Sequence, residues 1–72
     1  MNLYPRIRDL RGDADLTQAQ VGERLGLSQR TYAYYESGQR MVPPEVLCAL
    51  GDLYGVSVDY LLGRTDRREM NR

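Results

Sequence analysis

The stretch Leu16-Thr17-Gln18-Ala19-Gln20-Val21-Gly22-Glu23-Arg24-Leu25-Gly26-Leu27-Ser28-Gln29-Arg30 decides the fold of this chain. It holds two helix starts eleven residues apart, Leu16-Thr17-Gln18 and Leu27-Ser28-Gln29. In each, an apolar residue precedes a hydroxyl residue that can cap the free N–H groups of a first turn. Gln20 stands three residues after Thr17, which gives the first start the form of a capping box. Gly26 lies where a helix commonly closes through a residue of positive φ. The interval therefore holds one short helix and a tight turn, the spacing of a helix-turn-helix.

Working outward, five short helices account for almost the whole sequence. The first runs from about Tyr4 to about Arg11, after Asn2 or Leu3, with Pro5 tolerated in its first turn. Its apolar residues Leu3, Ile7 and Leu10 recur at helical spacing, and Gly12 to Asp15 form the loop beyond it. The second starts at Thr17 with Val21 and Leu25 as its stripe. The third runs from Ser28 to Ser37-Gly38, with Tyr32 and Tyr35 on one face and Arg30 and Tyr34 on the other. Pro43-Pro44 introduce the fourth and Gly55 stops it; Leu47, Leu50, Leu53 and Tyr54 give it a wide apolar face. Ser57 caps a short fifth, Asp59 favours its positive end, and Gly63 follows its last leucines. Residues 1–63 are expected to form a single all-α domain. Residues 64–72 are a polar C-terminal tail, expected to fray.

The composition excludes several classes. Seventy-two residues allow one small core. Cys48 is the only cysteine and there is no histidine, so neither an intrachain disulfide nor a zinc site is expected, and no metal or cofactor is assigned. Cys48 lies among Val46, Leu47 and Leu50, which predicts a buried, inert thiol. No apolar run has membrane length and no signal-peptide core is present, so a cytoplasmic location and no membrane partner are expected. The acids are scattered, no convergent pair is visible, and no small-molecule substrate is evident; the chain reads as non-enzymatic. Ten arginines balance ten acids, and the zero net charge counts against nucleic-acid binding, whose domains often carry a basic excess; few cationic side chains on a binding face would give a shallow salt dependence.

The motif is specific because several constraints fall in one register. Counting from Gln18, Gly22 is fifth and Gly26 ninth. The fifth position is crowded where two helices cross over a short turn, and the ninth must turn. Val21, Leu25, Leu27, Tyr32 and Tyr35 occupy the core-facing places. With Leu16-Thr17-Gln18, Leu27-Ser28-Gln29, Tyr35-Glu36-Ser37-Gly38 and Gly55-Val56-Ser57-Val58-Asp59-Tyr60-Leu61-Leu62-Gly63 in place, the segment from Leu10 to Gly63 resembles the lambda-repressor-like, Cro/phage-repressor helix-turn-helix domains. These are also called the xenobiotic-response-element family of bacterial regulators. The likeness covers about three quarters of the chain. It implies a five-helix fold that binds operator DNA, commonly as a dimer. Gly22 departs from the family's usual alanine, which should loosen the second helix by up to ~1 kcal/mol. Tyr32 stands where a branched aliphatic is usual.

Within that motif the third helix would enter the major groove, and the candidate base-contacting residues are Gln29, Arg30, Ala33 and Tyr34. A glutamine can bond adenine N6 and N7 together. An arginine can take guanine O6 and N7, or a phosphate. Ala33 lets bases approach, and Tyr34 could meet a thymine methyl or a phosphate. Candidate phosphate contacts are Thr17, Gln18, Ser28 and Arg40. The resemblance implies that Gln18 bonds a phosphate and braces Gln29, and that Arg11 and Glu36 form a partly buried structural ion pair. It also places a dimer contact near Val56, Val58, Tyr60, Leu61 and Leu62, which predicts a weak homodimer. Two functions compete. One is a transcription regulator, a repressor of bacterial, phage or mobile-element origin, reading double-stranded operator DNA. The alternative is an antitoxin-like or other protein-interaction module on the same fold. The polar start of the third helix favours DNA, because an interaction face would be more apolar.

Overall fold

Thr17, Ser28 and Ser57 each accept a hydrogen bond from the backbone N–H three residues on, and a helix begins after each. The computed structural model describes residues 4–69, so Asn2 and Leu3 lie outside the described residues. The elements are α1 (Pro5–Asp13), α2 (Gln18–Leu25), α3 (Gln29–Ser37), α4 (Pro44–Tyr54) and α5 (Val58–Leu61), and no strand occurs among the described residues. Thr17 closes the reciprocal box: its Oγ1 accepts from Gln20 N–H at 3.1 Å, and its own N–H donates to Gln20 Oε1 at 2.8 Å. α1 continues through Gly12 to Asp13, two residues past the expected end at Arg11. A glycine facing open space does not stop a helix whose next amide, Ala14 N–H, still reaches Leu10. The chain turns instead at Asp15, whose φ is 61°.

α2 packs on α3, α1 lies across α3 and α5, and α4 packs on α2 and α5. Ile7 and Leu10 of α1, Val21 of α2, Tyr32 of α3, Leu47 and Leu50 of α4 and Leu61 of α5 meet in one core. Each full burial of such a side chain contributes about 1.5–3 kcal/mol. Tyr4 joins them, and its hydroxyl accepts from Val42 N–H at 3.1 Å, tying the α3–α4 loop to the start of α1. Two glycines let turns approach helices closely. A Cβ on Gly22 would lie 3.0 Å from Leu27 O, and one on Gly51 would lie 2.8 Å from Val56 O. Gly22 therefore serves the α2–α3 crossing, beyond any loss of helix propensity.

Two expectations are corrected. Cys48 is exposed, because Leu47, Leu50 and Gly51 take the inward positions of α4 and leave it on the outer side. The tail is docked over its described part, residues 64–69. Ser57 N–H donates to Arg68 O at 2.9 Å. Arg6 Nη1 donates to Tyr60 O at 3.1 Å and to Thr65 O, and its Nη2 meets Asp66 Oδ1 at 2.7 Å. The Arg6 guanidinium also sits 4.1 Å from the centre of the Tyr60 ring, with Arg68 at 5.5 Å.

Candidate nucleic-acid interface

α3 is two-sided. Its inner side carries Tyr32 and Glu36, both buried, and its outer side begins with Gln29 and Arg30, both exposed. The orientation of the helix is held by an ionic cluster. Arg11 Nε and Nη2 donate to the two oxygens of Glu36 at 2.8 and 2.9 Å, a forked pair, and Nη1 donates to Leu16 O at 2.9 Å. Glu36 is only 5 % exposed. Burial pushes its carboxyl upward, but the Arg11 hydrogen bonds and charge outweigh it and hold the group below the ordinary carboxylate value. The same hydrogen bonds raise Arg11 further. The Tyr32 hydroxyl lies beside this carboxylate and the Tyr54 hydroxyl beside that of Tyr32, without hydrogen bonds of ordinary geometry. Burial raises both phenols.

Gln18 opens α2 half-buried, its Nε2 directed to Glu36 Oε1 at 3.5 Å. It thus turns to the ionic cluster; no hydrogen bond joins it to Gln29 among the described residues. Arg8, Arg11, Gln18, Ala33, Glu36 and Ser37 line an open cleft of about 420 Å³ where α1, α2 and α3 meet. Arg8 is exposed there without an ion pair among the described residues. Sequence reasoning did not single it out, although its spacing from Arg11 puts both on one side of α1.

Thr17 and Ser28 are exposed, and both are occupied as caps. Ser28 Oγ accepts from Thr31 N–H at 3.1 Å and donates to Thr31 Oγ1 at 3.0 Å. Further along the outer side, Arg30 Nε donates to Tyr34 Oη at 3.1 Å. Arg40, past the left-handed Gly38, lays its guanidinium 4.7 Å from the centre of the same ring. Arg30, Tyr34 and Arg40 are thus gathered on one surface, with Gln29 exposed at the start of the same helix. Ala33 faces the neighbouring cleft, and Arg11 and Glu36 stand behind it as support. Of the residues of the expected dimer contact, Val56 and Leu61 are buried within the protomer. The Tyr60 ring carries Arg6, which leaves Val58 and Leu62 half-buried at that surface.

An outward polar helix, braced by a second helix across a glycine-closed turn, defines a helix-turn-helix domain of the lambda-repressor-like type. The chain belongs to that family: a helix-turn-helix domain model matches residues 5–62. It is 43% identical over 61 residues to the uncharacterized HTH-type transcriptional regulator YobD of Bacillus subtilis, covering 85% of this chain and 54% of that protein. It is 34% identical over 71 residues to the HTH-type transcriptional regulator ImmR of the same organism, covering 99% of this chain and 56% of that one. With the cryptic phage CTXphi transcriptional repressor RstR of Vibrio cholerae it shares 34% over 64 residues, 89% of this chain and 57% of the other. The chain spans little more than half the length of these relatives. Among the described residues no helix is long and apolar enough to cross a membrane.

Proposed function

We propose that this domain binds double-stranded DNA sequence-specifically and acts in transcription regulation, as a repressor. The observation that carries this reading is the outer side of α3, where Gln29 and Arg30 stand exposed and the arginine has no ion-pair partner among the described residues. α3 lies in the major groove. Gln29 and Arg30 meet base edges, with Ala33 and Tyr34 alongside. Arg40 meets phosphate, as does Arg8 beside the cleft. Gln18, and the first turns of α2 and α3 capped by Thr17 and Ser28, approach the same backbone. The names of the relatives favour the same conclusion, and RstR is named a repressor. Met41 is the one exposed large hydrophobic among the described residues, which disfavours a protein-interaction module. An exposed free Cys48 fits a reducing, cytoplasmic setting. Two protomers pair weakly through Val58 and Leu62 and read a two-fold site, because one half-site gives little specificity.

Selection of binding sites from random duplexes with the purified protein tests this. Gln29→Ala and Arg30→Ala should each cost about 1–3 kcal/mol on the selected site and relax preference at one or two base pairs. Arg40→Ala should weaken all sequences alike. Tight cognate binding by both α3 variants refutes the groove assignment. Sedimentation with and without the duplex tests pairing; a single protomer at saturation on an asymmetric site excludes it.

A further inference from the structure

Two arginines on the proposed DNA face converge on one tyrosine. Arg30 lies one turn before Tyr34 on α3, and its Nε donates to Tyr34 Oη at 3.1 Å. Arg40 lies beyond the end of the helix, yet its guanidinium carbon sits over the Tyr34 ring, 4.7 Å from its centre. The Tyr34 backbone secures the loop that brings Arg40 back. Its carbonyl accepts from Gln39 N–H at 3.0 Å, Arg40 N–H at 3.3 Å and Ser37 Oγ at 3.2 Å. Neither arginine forms an ion pair among the described residues, so two cations are held against one ring with no carboxylate between them.

We propose that Tyr34 is a positioning residue: its hydroxyl aims Arg30 at a base pair and its ring holds Arg40 against the phosphate backbone. The proposal rests on the DNA-binding reading above and assigns a division of labour within that site. The chemistry follows from which atoms are occupied. Arg30 uses Nε to reach the tyrosine, leaving both terminal nitrogens free as a forked donor, the shape that fits guanine O6 and N7. A free arginine side chain must surrender much rotamer freedom to hold that pose; one already fixed by a hydrogen bond loses less. Arg40 is held by the attraction of its cation to the face of the Tyr34 ring rather than by a carboxylate, so its N–H groups are not taken up by an ion pair and can turn to phosphate oxygens. The hydroxyl and the ring therefore support different kinds of contact, and they can be removed one at a time.

The experiment first selects sites from random duplexes with the parent protein. Site preference and salt dependence are then measured for Tyr34→Phe, Tyr34→Leu, Arg30→Ala, Arg40→Ala and the pair Tyr34→Phe/Arg30→Ala. Far-ultraviolet circular dichroism checks that each variant is folded. Tyr34→Phe keeps the ring and loses the acceptor. It should weaken cognate binding about 3- to 10-fold and flatten preference at the same base pairs as Arg30→Ala, with the salt slope unchanged. The double variant should bind no worse than Arg30→Ala alone. Tyr34→Leu should in addition lower the salt slope by about one, as Arg40→Ala does. Unchanged preference in Tyr34→Phe overturns the proposal while leaving DNA binding intact. So does a loss additive with Arg30→Ala, or a flattening at a different base pair, which would make the tyrosine itself the reader. A parent protein that selects no sequence overturns the DNA-binding reading, and the proposal with it.

Discussion

Replacing Arg11 by methionine keeps an apolar stem of similar length and removes the guanidinium from beneath α3. Glu36 then loses its forked hydrogen bonds of 2.8 and 2.9 Å and the opposite charge that neutralises it. A carboxylate 5 % exposed cannot recover those bonds from water. Removing one partner of such a pair costs about 3–5 kcal/mol. A domain of this size is stable by roughly 4–11 kcal/mol, so Arg11→Met should lower the melting temperature by roughly ten degrees or more. Arg11→Lys keeps the charge without the fork and should lose about 1–3 kcal/mol. In Arg11→Met/Glu36→Leu no charge is left stranded, and most of the loss should return. The pH dependence has a definite sign. In the parent, the folded Glu36 carboxyl is below its ordinary value. Its contribution is therefore present at neutral pH and lost as the pH falls through the folded value. In Arg11→Met burial loses its chief counterweight and the group rises, so the deficit relative to the parent is greatest near neutrality and narrows in acid. Urea unfolding of the four proteins at pH 7 and at pH 4 measures all of this. An Arg11→Met loss under about 1 kcal/mol at pH 7, or a double variant no more stable than Arg11→Met, refutes the account.

The glycines of α1 and α4 should respond in opposite directions to alanine. Gly12→Ala meets open space and should stabilise by about 0.5–1 kcal/mol. Gly51→Ala meets Val56 O at 2.8 Å and should destabilise by about 1–3 kcal/mol, both read from thermal melts. Cys48 should react stoichiometrically with a thiol reagent in the folded protein, and slow labelling that accelerates only with denaturant would contradict its exposed position. Tyr32 and Tyr54 have raised phenol values, so their neutral forms stabilise the fold below about pH 10, and that contribution is lost as the pH climbs toward the folded values. In an alkaline titration followed by tyrosinate absorbance, these two should ionise only together with loss of helicity.

Local signals were legible in the sequence because they act over three or four residues. The hydroxyls of Thr17, Ser28 and Ser57 cap the helices that their spacing announced, and Gly26 takes positive φ at the end of α2. Helical periodicity likewise put Tyr32 inside and Arg30 outside. Cys48 was misplaced because apolar neighbours in sequence are not neighbours around a helix; one residue past Leu47 is about 100° away. The docking of residues 64–69 had no periodic signal at all. It runs through the backbone carbonyls of Thr65, which Arg6 reaches from the other end of the domain, and of Arg68, which accepts from Ser57 N–H. At the candidate site, the spacing of Arg30 and Tyr34 gave a shared face. Their hydrogen bond depends on rotamers, and the return of Arg40 depends on the turn after Gly38. Gln18 was placed correctly at the start of α2, but its side chain is drawn toward Glu36, eighteen residues away.

The crossing of α2 and α3 leaves no room for a joint. Leu27 O and Ser28 O come within 3.0 and 3.3 Å of where a Cβ on Gly22 would sit, and Leu27 N–H is bonded to Gly22 O at 2.8 Å. The turn that leads into α3 is therefore seated directly on the backbone of α2 at Gly22, with no side chain between them at that point to slide or repack. On the proposed DNA-binding reading, a contact this close leaves the turn little play, and adjustment between one DNA sequence and another would fall on the side chains of Gln29 and Arg30 and on the duplex, whose resistance to bending and twisting varies with sequence. Sequences of equal base-edge chemistry would on that account be sorted by stiffness at positions this protein never touches.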